Sequence, residues 1–216
     1  MTKSHQNACD NTLDWNCTVE NLLSNYELQH LINEPKPNIG QIFIDRAKDR
    51  YHDGAFAQIT KPGSKLRTYS LFKHDIGRED YLVQIRNTRL RQILTKFRLS
   101  NHRLMIERGR HLKLDVEDRK CPMCEINIED EKHFLITCNM YEELRKPLFD
   151  CCKETTPQFE SYSEDEKFLA IMTNPLMMGN VSKYLDLALN DRDIYIDVTA
   201  TLSSILDKIP GPQILI

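Results

Sequence analysis

Apolar residues recur along most of this chain at the three- and four-residue spacing that is typical of amphipathic helices. The clearest case is the segment from about Asp80 to Leu99, which we predict to be the longest helix, with its apolar residues on one face. Shorter segments of similar pattern lie on both sides of it. Predicted helices and helix-like segments cover residues 18–33, 39–60, 80–99, 139–152, 164–173, 179–190 and 199–209.

Proline and glycine mark the predicted boundaries between these segments. Two prolines and a glycine interrupt the pattern at residues 34–40, Asp53-Gly54 predicts a turn, and Pro147 is expected to kink or restart its helix. We therefore predict four regions. They are a loose N-terminus (1–17), a helical N-terminal region (18–68), a basic helix followed by a cysteine-rich module (69–152) and a C-terminal helical region (153–216).

Composition agrees with a mainly α-helical, soluble protein. Of the 216 residues, 40% are hydrophobic and 28% are charged, and only 7 are glycine, which favours helices over a β-sandwich. No apolar run approaches the roughly 20 residues that span a bilayer, and the first residues lack the apolar core of a secretory signal. We expect an intracellular protein, nuclear or cytoplasmic, with no membrane partner. The net charge of −3 says little about partners.

Four candidate metal ligands lie close together with the spacing C-x2-C-x8-H-x4-C: Cys121, Cys124, His133 and Cys138. Three thiolates and one imidazole complete the tetrahedral shell of a structural Zn²⁺. We expect His133 on the last part of a short helix, Cys138 just past a bend, and residues 134–136 as an apolar pack beneath the metal. Because protein fills all four positions, none stays open for a catalytic water, which favours structure or recognition over metal catalysis.

Other interpretations of the cysteines fit less well. Inert buried thiols would account for one C-x2-C pair, but the histidine and third cysteine at ligand spacing favour a metal. Disulfides are disfavoured by the odd total of 7 cysteines and by the missing signal peptide, and a redox C-x-x-C by the lack of a βαβ pattern. Cys151 and Cys152 are interpreted as core or reactive thiols, since the first ligand set is already full.

A strongly basic stretch precedes the cysteines. From Arg86 to Lys113 there are nine Lys or Arg residues and one acidic residue, Glu107. Such a stretch suits a phosphate backbone, because arginine forks match phosphate oxygens and neutralised phosphates release counterions. The alternative is a solvated basic face balanced by acidic segments elsewhere. Aromatic platforms are scarce, which argues against sequence-specific single-strand binding. The candidate nucleic-acid-binding residues are Arg89, Arg91, Lys96, Arg98, Arg103, Arg108 and Arg110.

Three aspartates, Asp45, Asp49 and Asp53, recur every four residues and would share one helical face. Such a face could bind Mg²⁺ or serve acid–base chemistry. We interpret them instead as exposed charges that pair with neighbouring basic residues or stay solvated, because exposed charged faces are the norm. We therefore predict neither an enzyme nor a small-molecule substrate.

The cysteine-rich stretch resembles the zinc-binding region that lies C-terminal to the reverse transcriptase of non-LTR retrotransposons. The resemblance covers about residues 69–189 and is carried by the two C-x2-C cysteines, an acidic residue four before the histidine, an apolar pair after it and a cysteine five beyond it. In this sequence those residues are Cys121, Cys124, Glu129, His133, Phe134, Leu135 and Cys138. The resemblance implies an accessory part of a retroelement protein, or a stand-alone descendant, that helps to hold RNA or target DNA.

Polymerase residues do not accompany this resemblance. A reverse transcriptase palm needs a Tyr/Phe-x-Asp-Asp turn, and the nearest string, at residues 195–198, lacks the second aspartate. The sequence therefore predicts a helical protein around one CCHC zinc module that binds nucleic acid without polymerase activity. The alternative is a protein–protein adaptor in which zinc is purely structural and the apolar faces after Asn139 dock a partner.

Overall fold

The computed structural model describes residues 15–34, 37–61, 64–73 and 77–206, and this part of the chain is mainly helical. It contains no β-strand within those ranges, only an isolated antiparallel bridge between Lys120 and Ile128. The chain divides into two compact units, one up to Gln58 and one from Ile59 onwards. The α-helices are α1 (Trp15–Asn25), α2 (His30–Asn33), α3 (Ile39–Thr60), α4 (Tyr81–Gln84), α5 (Thr88–Arg98), α6 (Met105–His111), α7 (Glu142–Thr155), α8 (Glu164–Thr173) and α9 (Met178–Leu206).

The N-terminal unit has a small apolar core formed by Leu23, Leu28 and Leu31. The helix predicted over residues 18–33 is interrupted here, because Glu27 adopts a left-handed conformation with φ of 60° and ends α1. Leu28 N–H donates to the Leu23 carbonyl (2.8 Å) and Glu27 N–H to the Ser24 carbonyl (3.0 Å). This pair of bonds is a Schellman motif, and it places two leucines of the core against each other.

The turn predicted at Asp53-Gly54 is wrong, because α3 continues through both residues. Gly54 is helical and has open space around the position of a Cβ atom, so no turn or close approach requires a glycine there. A single glycine lowers helix stability by only about 1 kcal/mol. A helix of 22 residues can form despite this cost.

The C-terminal unit is built around α9, which packs against α5 and α7. Its core joins apolar side chains from these helices to the cysteine-rich stretch. Phe134 is fully buried and contacts the rings of Tyr141 (4.7 Å between centroids), Tyr184 (6.0 Å) and Phe97 (6.3 Å). The predicted metal module is therefore part of the main core of this unit.

The prediction of one long helix from about Asp80 to Leu99 is wrong. The chain forms α4, leaves the helical conformation at Ile85 and restarts at α5, where the Asn87 side chain accepts a hydrogen bond from Leu90 N–H (3.2 Å). The Arg91 guanidinium donates to the Ile85 carbonyl at 3.0 Å, which satisfies an acceptor that the break leaves open. The N-cap at Asn87 therefore begins a new helix, although the spacing of the apolar residues predicted a continuous one.

The longest described helix is instead α9, with 29 residues, where a helix over 179–190 and a helix-like segment over 199–209 were predicted; residues 207–209 lie outside the described part of the chain. No proline or glycine interrupts it after Gly179. Pro147 likewise lies inside α7, which neither ends nor restarts at that residue. At Pro147 the helix therefore continues despite the local signal, whereas α9 has no such signal between its two predicted segments.

Candidate metal centre and basic surface

Cys121, Cys124, His133 and Cys138 converge on one cluster, and their ligand atoms all lie within 4.8 Å of one another. The Sγ atoms of Cys121 and Cys138 are 3.9 Å apart, and Cys124 Sγ is 3.4 Å from His133 Nε2. With metal–ligand distances typical of Zn²⁺, tetrahedral geometry requires about 3.8 Å between two sulfurs and about 3.5 Å between sulfur and nitrogen. These two distances are close to those values, and the four side chains lie near enough to one another to hold one metal ion.

A tight loop brings the first two cysteines together. Cys121 N–H donates to the Asn127 carbonyl (2.8 Å), and Glu125, in a left-handed conformation with φ of 60°, donates to the Cys121 carbonyl (2.8 Å). The backbone of Met123 and Cys124 acts to lower the pKa of the Cys121 thiol, because donors near a sulfur stabilise a thiolate, although other causes outweigh it. The loop therefore positions this ligand.

A π-helical segment, His133–Thr137, positions the other two ligands. In an α-helix residue i+5 would lie about 140° around the axis from residue i. Here Cys138 N–H donates to the His133 carbonyl at 2.8 Å, an i+5 bond whose wider turn brings Cys138 back beside the histidine. Cys138 lies just past this segment, as expected, but His133 begins it rather than lying on its last part.

The imidazole is oriented by groups on its own segment. His133 Nδ1 lies 3.0 Å from Thr137 Oγ1, which leaves Nε2 facing the cysteines. The Asp130 carboxylate accepts a hydrogen bond from His133 N–H at 2.7 Å. A partner on the second ring nitrogen is typical of metal-binding histidines, because it fixes the tautomer and the ring orientation.

Protons on the ligands compete with a metal. The hydrogen bond with Cys138 is the main cause that raises the pKa of the Cys121 thiol to about 12, and the same bond lowers the pKa of Cys138. At His133, burial acts to lower the pKa, but contacts with Cys121 and Cys124 outweigh it and raise the pKa. A metal must displace these protons, so its affinity falls as the pH falls.

The apolar pack predicted beneath the metal is confirmed, since Phe134, Leu135 and Ile136 are all buried. Two arginines that sequence reasoning missed also support the cluster. Arg145 of α7 donates to the Cys138 carbonyl at 2.7 Å, and Arg192 of α9 forms a bidentate ion pair with Glu129. These arginines are 7 and 63 residues away from their partners, and no local spacing links Arg192 to the cysteines.

Glu131 holds a second buried ionic network beside the metal module. Its carboxylate accepts hydrogen bonds from Ser100 (2.7 Å) and Arg67 (3.0 Å) and lies 2.9 Å from His102 Nε2. Burial acts to raise the pKa of Glu131, but His102 and Arg67 outweigh it and lower the pKa to about 2. Arg67 also pairs with the buried Glu107. The network connects Glu131, two residues before His133, to Arg67, Ser100 and His102, and through Arg67 to Glu107.

Arg98, a predicted nucleic-acid-binding residue, is buried. Its guanidinium donates to the Met172 carbonyl (2.7 Å) and to Glu79 (2.9 Å), and it lies over the Phe72 ring at 4.2 Å. Arg91 has a structural contact as well, at the break between α4 and α5. These two residues are seven apart on α5 and share one of its faces; Arg98 is buried and is not presented to a phosphate, whereas Arg91 is half-buried.

Other members of the basic stretch remain at the surface. Arg89 pairs with Asp186 (2.8 Å) and Arg103 with Asp193 (3.1 Å), yet their side chains are 69% and 79% exposed. Arg110 pairs loosely with Glu107 (3.5 Å). Lys96 and Arg108 are exposed and make no ion pair with any described residue. The basic stretch therefore divides into an inward-facing part and an exposed part that is partly neutralised by α9.

Other chemistry-bearing residues stand apart from the cluster. Asp45, Asp49 and Asp53 lie on α3 without forming a ligand group in the described part of the chain, and Asp45 accepts a hydrogen bond from Gln41 (2.8 Å). Cys152 is a core residue, since it is buried and its Sγ lies 3.6 Å from Met177 Sδ. Burial is the main cause that raises the pKa of this thiol to about 11, so it is unreactive at neutral pH.

No protein-family model matches the chain, and neither a curated protein nor a solved structure shows significant similarity to it. The resemblance to the retrotransposon zinc-binding region therefore rests on the cysteine and histidine pattern and stays a prediction. Within the described ranges, no helix combines the length and apolarity that crossing a bilayer would need.

Proposed function

We propose that this chain is a zinc-dependent, non-enzymatic domain that binds nucleic acid, RNA or DNA, through its exposed basic side chains. The observation that carries the proposal is the Cys₃His cluster, in which one sulfur–sulfur distance (3.9 Å) and one sulfur–nitrogen distance (3.4 Å) are close to those of a tetrahedral zinc centre. Three thiolates and one imidazole favour Zn²⁺ over Mg²⁺ or Ca²⁺, which prefer oxygen ligands. We also propose a retroelement-derived origin without a polymerase, on the resemblance of the motif.

The zinc ion has a structural role in this proposal. Four protein ligands complete its shell, and the cluster is continuous with the core of the C-terminal unit. The free energy of metal binding at such a site is folding free energy, because the unfolded chain has no preformed site. Zinc therefore stabilises the surface on which the basic residues are held.

Exposed basic residues supply the phosphate contacts. Arg89 and Lys96 are seven residues apart and share one face of α5, while Arg103 and Arg108 follow in the next segment. The ion pairs of Arg89 and Arg103 with α9 aspartates lie at the surface, where such pairs contribute about 0–1 kcal/mol. A phosphate can therefore displace either carboxylate at small cost.

A protein–protein adaptor is the second candidate. It is favoured by the burial of Arg98, by the ion pairs of Arg89 and Arg103, and by apolar side chains that α9 leaves exposed. Leu187, Ile194 and Val198 are each more than half exposed. In this alternative, zinc stabilises the helices and α9 presents the docking surface.

Binding of the zinc-loaded chain to a generic DNA duplex and to a generic RNA duplex, across a salt series, separates the two candidates. The logarithm of the affinity should fall linearly with the logarithm of salt concentration. Replacing Arg89, Lys96 and Arg103 together by alanine should make the slope on DNA shallower by about 2.7, since each phosphate contact contributes about 0.9.

Three exposed lysines outside the basic stretch, Lys146, Lys153 and Lys183, offer a control with the same loss of charge. Their alanine variant should keep the wild-type slope. Equal effects of the two triple variants would mean that only net charge matters, and no binding at low salt would overturn the nucleic-acid proposal and favour the adaptor.

A further inference from the structure

Arg192 is among the largest fully buried side chains in the described part of the chain. Its partner, Glu129, lies next to the metal cluster. Its side chain is 1% exposed and that of Glu129 is 0% exposed. Arg192 Nε donates to Glu129 Oε1 at 2.6 Å and Nη2 to Oε2 at 2.7 Å. An arginine–carboxylate pair with two short bonds is among the strongest and most directional interactions in proteins.

Glu129 connects three parts of the C-terminal unit. Its carboxylate accepts a hydrogen bond from Met105 N–H at the start of α6 (2.6 Å), in addition to those from Arg192 of α9. Its backbone N–H donates to the Arg119 carbonyl (2.9 Å), and its own carbonyl accepts from Ile106 (3.0 Å). The position of this carboxylate is therefore fixed from several directions, and it cannot turn away from the cysteines.

The same carboxylate lies against a metal ligand, since Glu129 Oε1 is 3.9 Å from Cys121 Sγ. Three thiolates, a neutral imidazole and a divalent ion together carry a net charge of −1. Two buried negative groups then face each other, and their repulsion in a low-dielectric core is large unless a cation is present.

We infer that Arg192 is a positioning residue of the metal site, which neutralises Glu129 beside Cys121 and so couples zinc affinity to the packing of α9. This inference rests on the zinc site of the proposed function but not on nucleic-acid binding. The cysteines alone do not complete the site, because its charge balance comes from a helix that begins 40 residues after the last ligand, with Arg192 itself 54 residues after Cys138.

Zinc affinity of Arg192→Met tests the inference, measured by competition with a chelator of known affinity in the absence of nucleic acid. Losing a partner that orients or balances a metal ligand typically weakens metal affinity by about 10- to 100-fold. Arg192→Lys keeps the charge without the two-pronged geometry, so its affinity should lie between those of Arg192→Met and the wild type. Cobalt substitution adds a spectroscopic readout, because the sulfur-to-cobalt charge-transfer band reports the Cys121 thiolate.

Arg98 offers a matched control within the same unit. It is also a buried arginine with distant partners, Glu79 in the segment before α4 and the Met172 carbonyl in α8, but none of its hydrogen bonds or ion pairs involves Glu129 or a predicted metal ligand. Because metal binding here is coupled to folding, Arg98→Met should lower zinc affinity by no more than its loss of folding stability accounts for and should leave the cobalt spectrum unchanged, whereas Arg192→Met should lose more affinity than its loss of stability explains. A general loss of stability would instead affect both variants alike.

The inference is overturned if Arg192→Met keeps the zinc affinity of the wild type, or if it loses no more affinity than Arg98→Met. Should Arg192→Met fail to fold even with zinc, Glu129→Gln decides the matter, because it removes the negative charge with little change of shape. Its cobalt charge-transfer band should shift while that of Arg98→Met does not, and an unchanged band would contradict the inference. A wild-type chain that binds no zinc would overturn both this inference and the zinc proposal.

Discussion

The two compact units of this chain form their cores in different ways. The N-terminal unit buries three leucines, Leu23, Leu28 and Leu31, around a helix end. The C-terminal unit buries charged groups as well, among them Arg192, Glu129 and Glu131. Buried charges are costly unless each has a partner, and here each has one, arranged around or beside the cysteine cluster. We infer that the C-terminal unit depends on its metal and the N-terminal unit does not.

Loss of a metal ligand should produce the largest difference in stability between the two units. Cys124→Ser leaves the site one thiolate short and should destabilise the C-terminal unit by several kcal/mol, about the scale expected when metal binding drives folding. Hydrogen exchange at single amides measures this for each unit, and the Leu28 amide, bonded to Leu23 in the N-terminal unit, should keep its protection. Cys151→Ser, also at a half-buried thiol, is the control. Identical unfolding of Cys124→Ser and wild type, with and without chelator, would contradict the account.

Truncation of the core beneath the metal should have the next largest effect. Phe134→Ala removes a fully buried ring that contacts three other aromatic rings and should cost about 3–5 kcal/mol in chemical denaturation. Leu187→Ala, at a side chain that is 58% exposed, should change stability by less than about 0.5 kcal/mol. Comparable costs at the two positions would mean that the core is not where the structure places it.

Alkaline pH should weaken the C-terminal unit through Cys152. Burial raises the pKa of this thiol from 9.0 to about 11, so the folded state holds its proton more tightly than the unfolded state does. The resulting stability is fully present below about pH 9 and is lost as the pH rises through about 11, amounting to about 3 kcal/mol. Cys152→Ala should lack this decline when free energies of unfolding are compared between pH 8 and 11. Parallel curves for the two proteins would contradict the assignment.

Removal of a helix cap should have a smaller effect. Ser163 and Glu166 form a capping box at the start of α8, with hydrogen bonds in both directions. Ser163→Ala should lower stability by about 1 kcal/mol, and Ser163→Asp, which keeps an acceptor, should lose much less. Thermal unfolding of the two variants checks this, and equal melting temperatures would show that the cap does not contribute.

The aspartates of α3 should show the smallest effect. Asp49→Asn should change stability by less than about 0.5 kcal/mol and leave thermal unfolding insensitive to added Mg²⁺, because this exposed face forms no ligand cluster. A clear Mg²⁺-dependent rise in the melting temperature of the wild type that is absent in Asp49→Asn would instead support a metal site in the N-terminal unit.

Local spacing predicted the metal cluster because all four ligands lie within 18 consecutive residues, where geometry is set by short-range turns. The break between α4 and α5 also had a local signal, Asn87 followed by Thr88, but the apolar period of the whole segment concealed it. Residues that pair over long distances along the chain could not be predicted from local spacing. Nothing near Arg192 indicates that it pairs with Glu129, and a count of basic residues cannot separate the buried Arg98 from the exposed Lys96.

The decisive measurement is metal content, combined with amide protection before and after chelation. We expect one zinc ion per chain, and we expect chelation to remove protection from amides around His133 and in α9 while the Leu28 amide keeps its protection. A chain that contains no zinc after purification with zinc present, or one whose C-terminal unit stays equally protected after chelation, would contradict the claim that zinc holds this unit together.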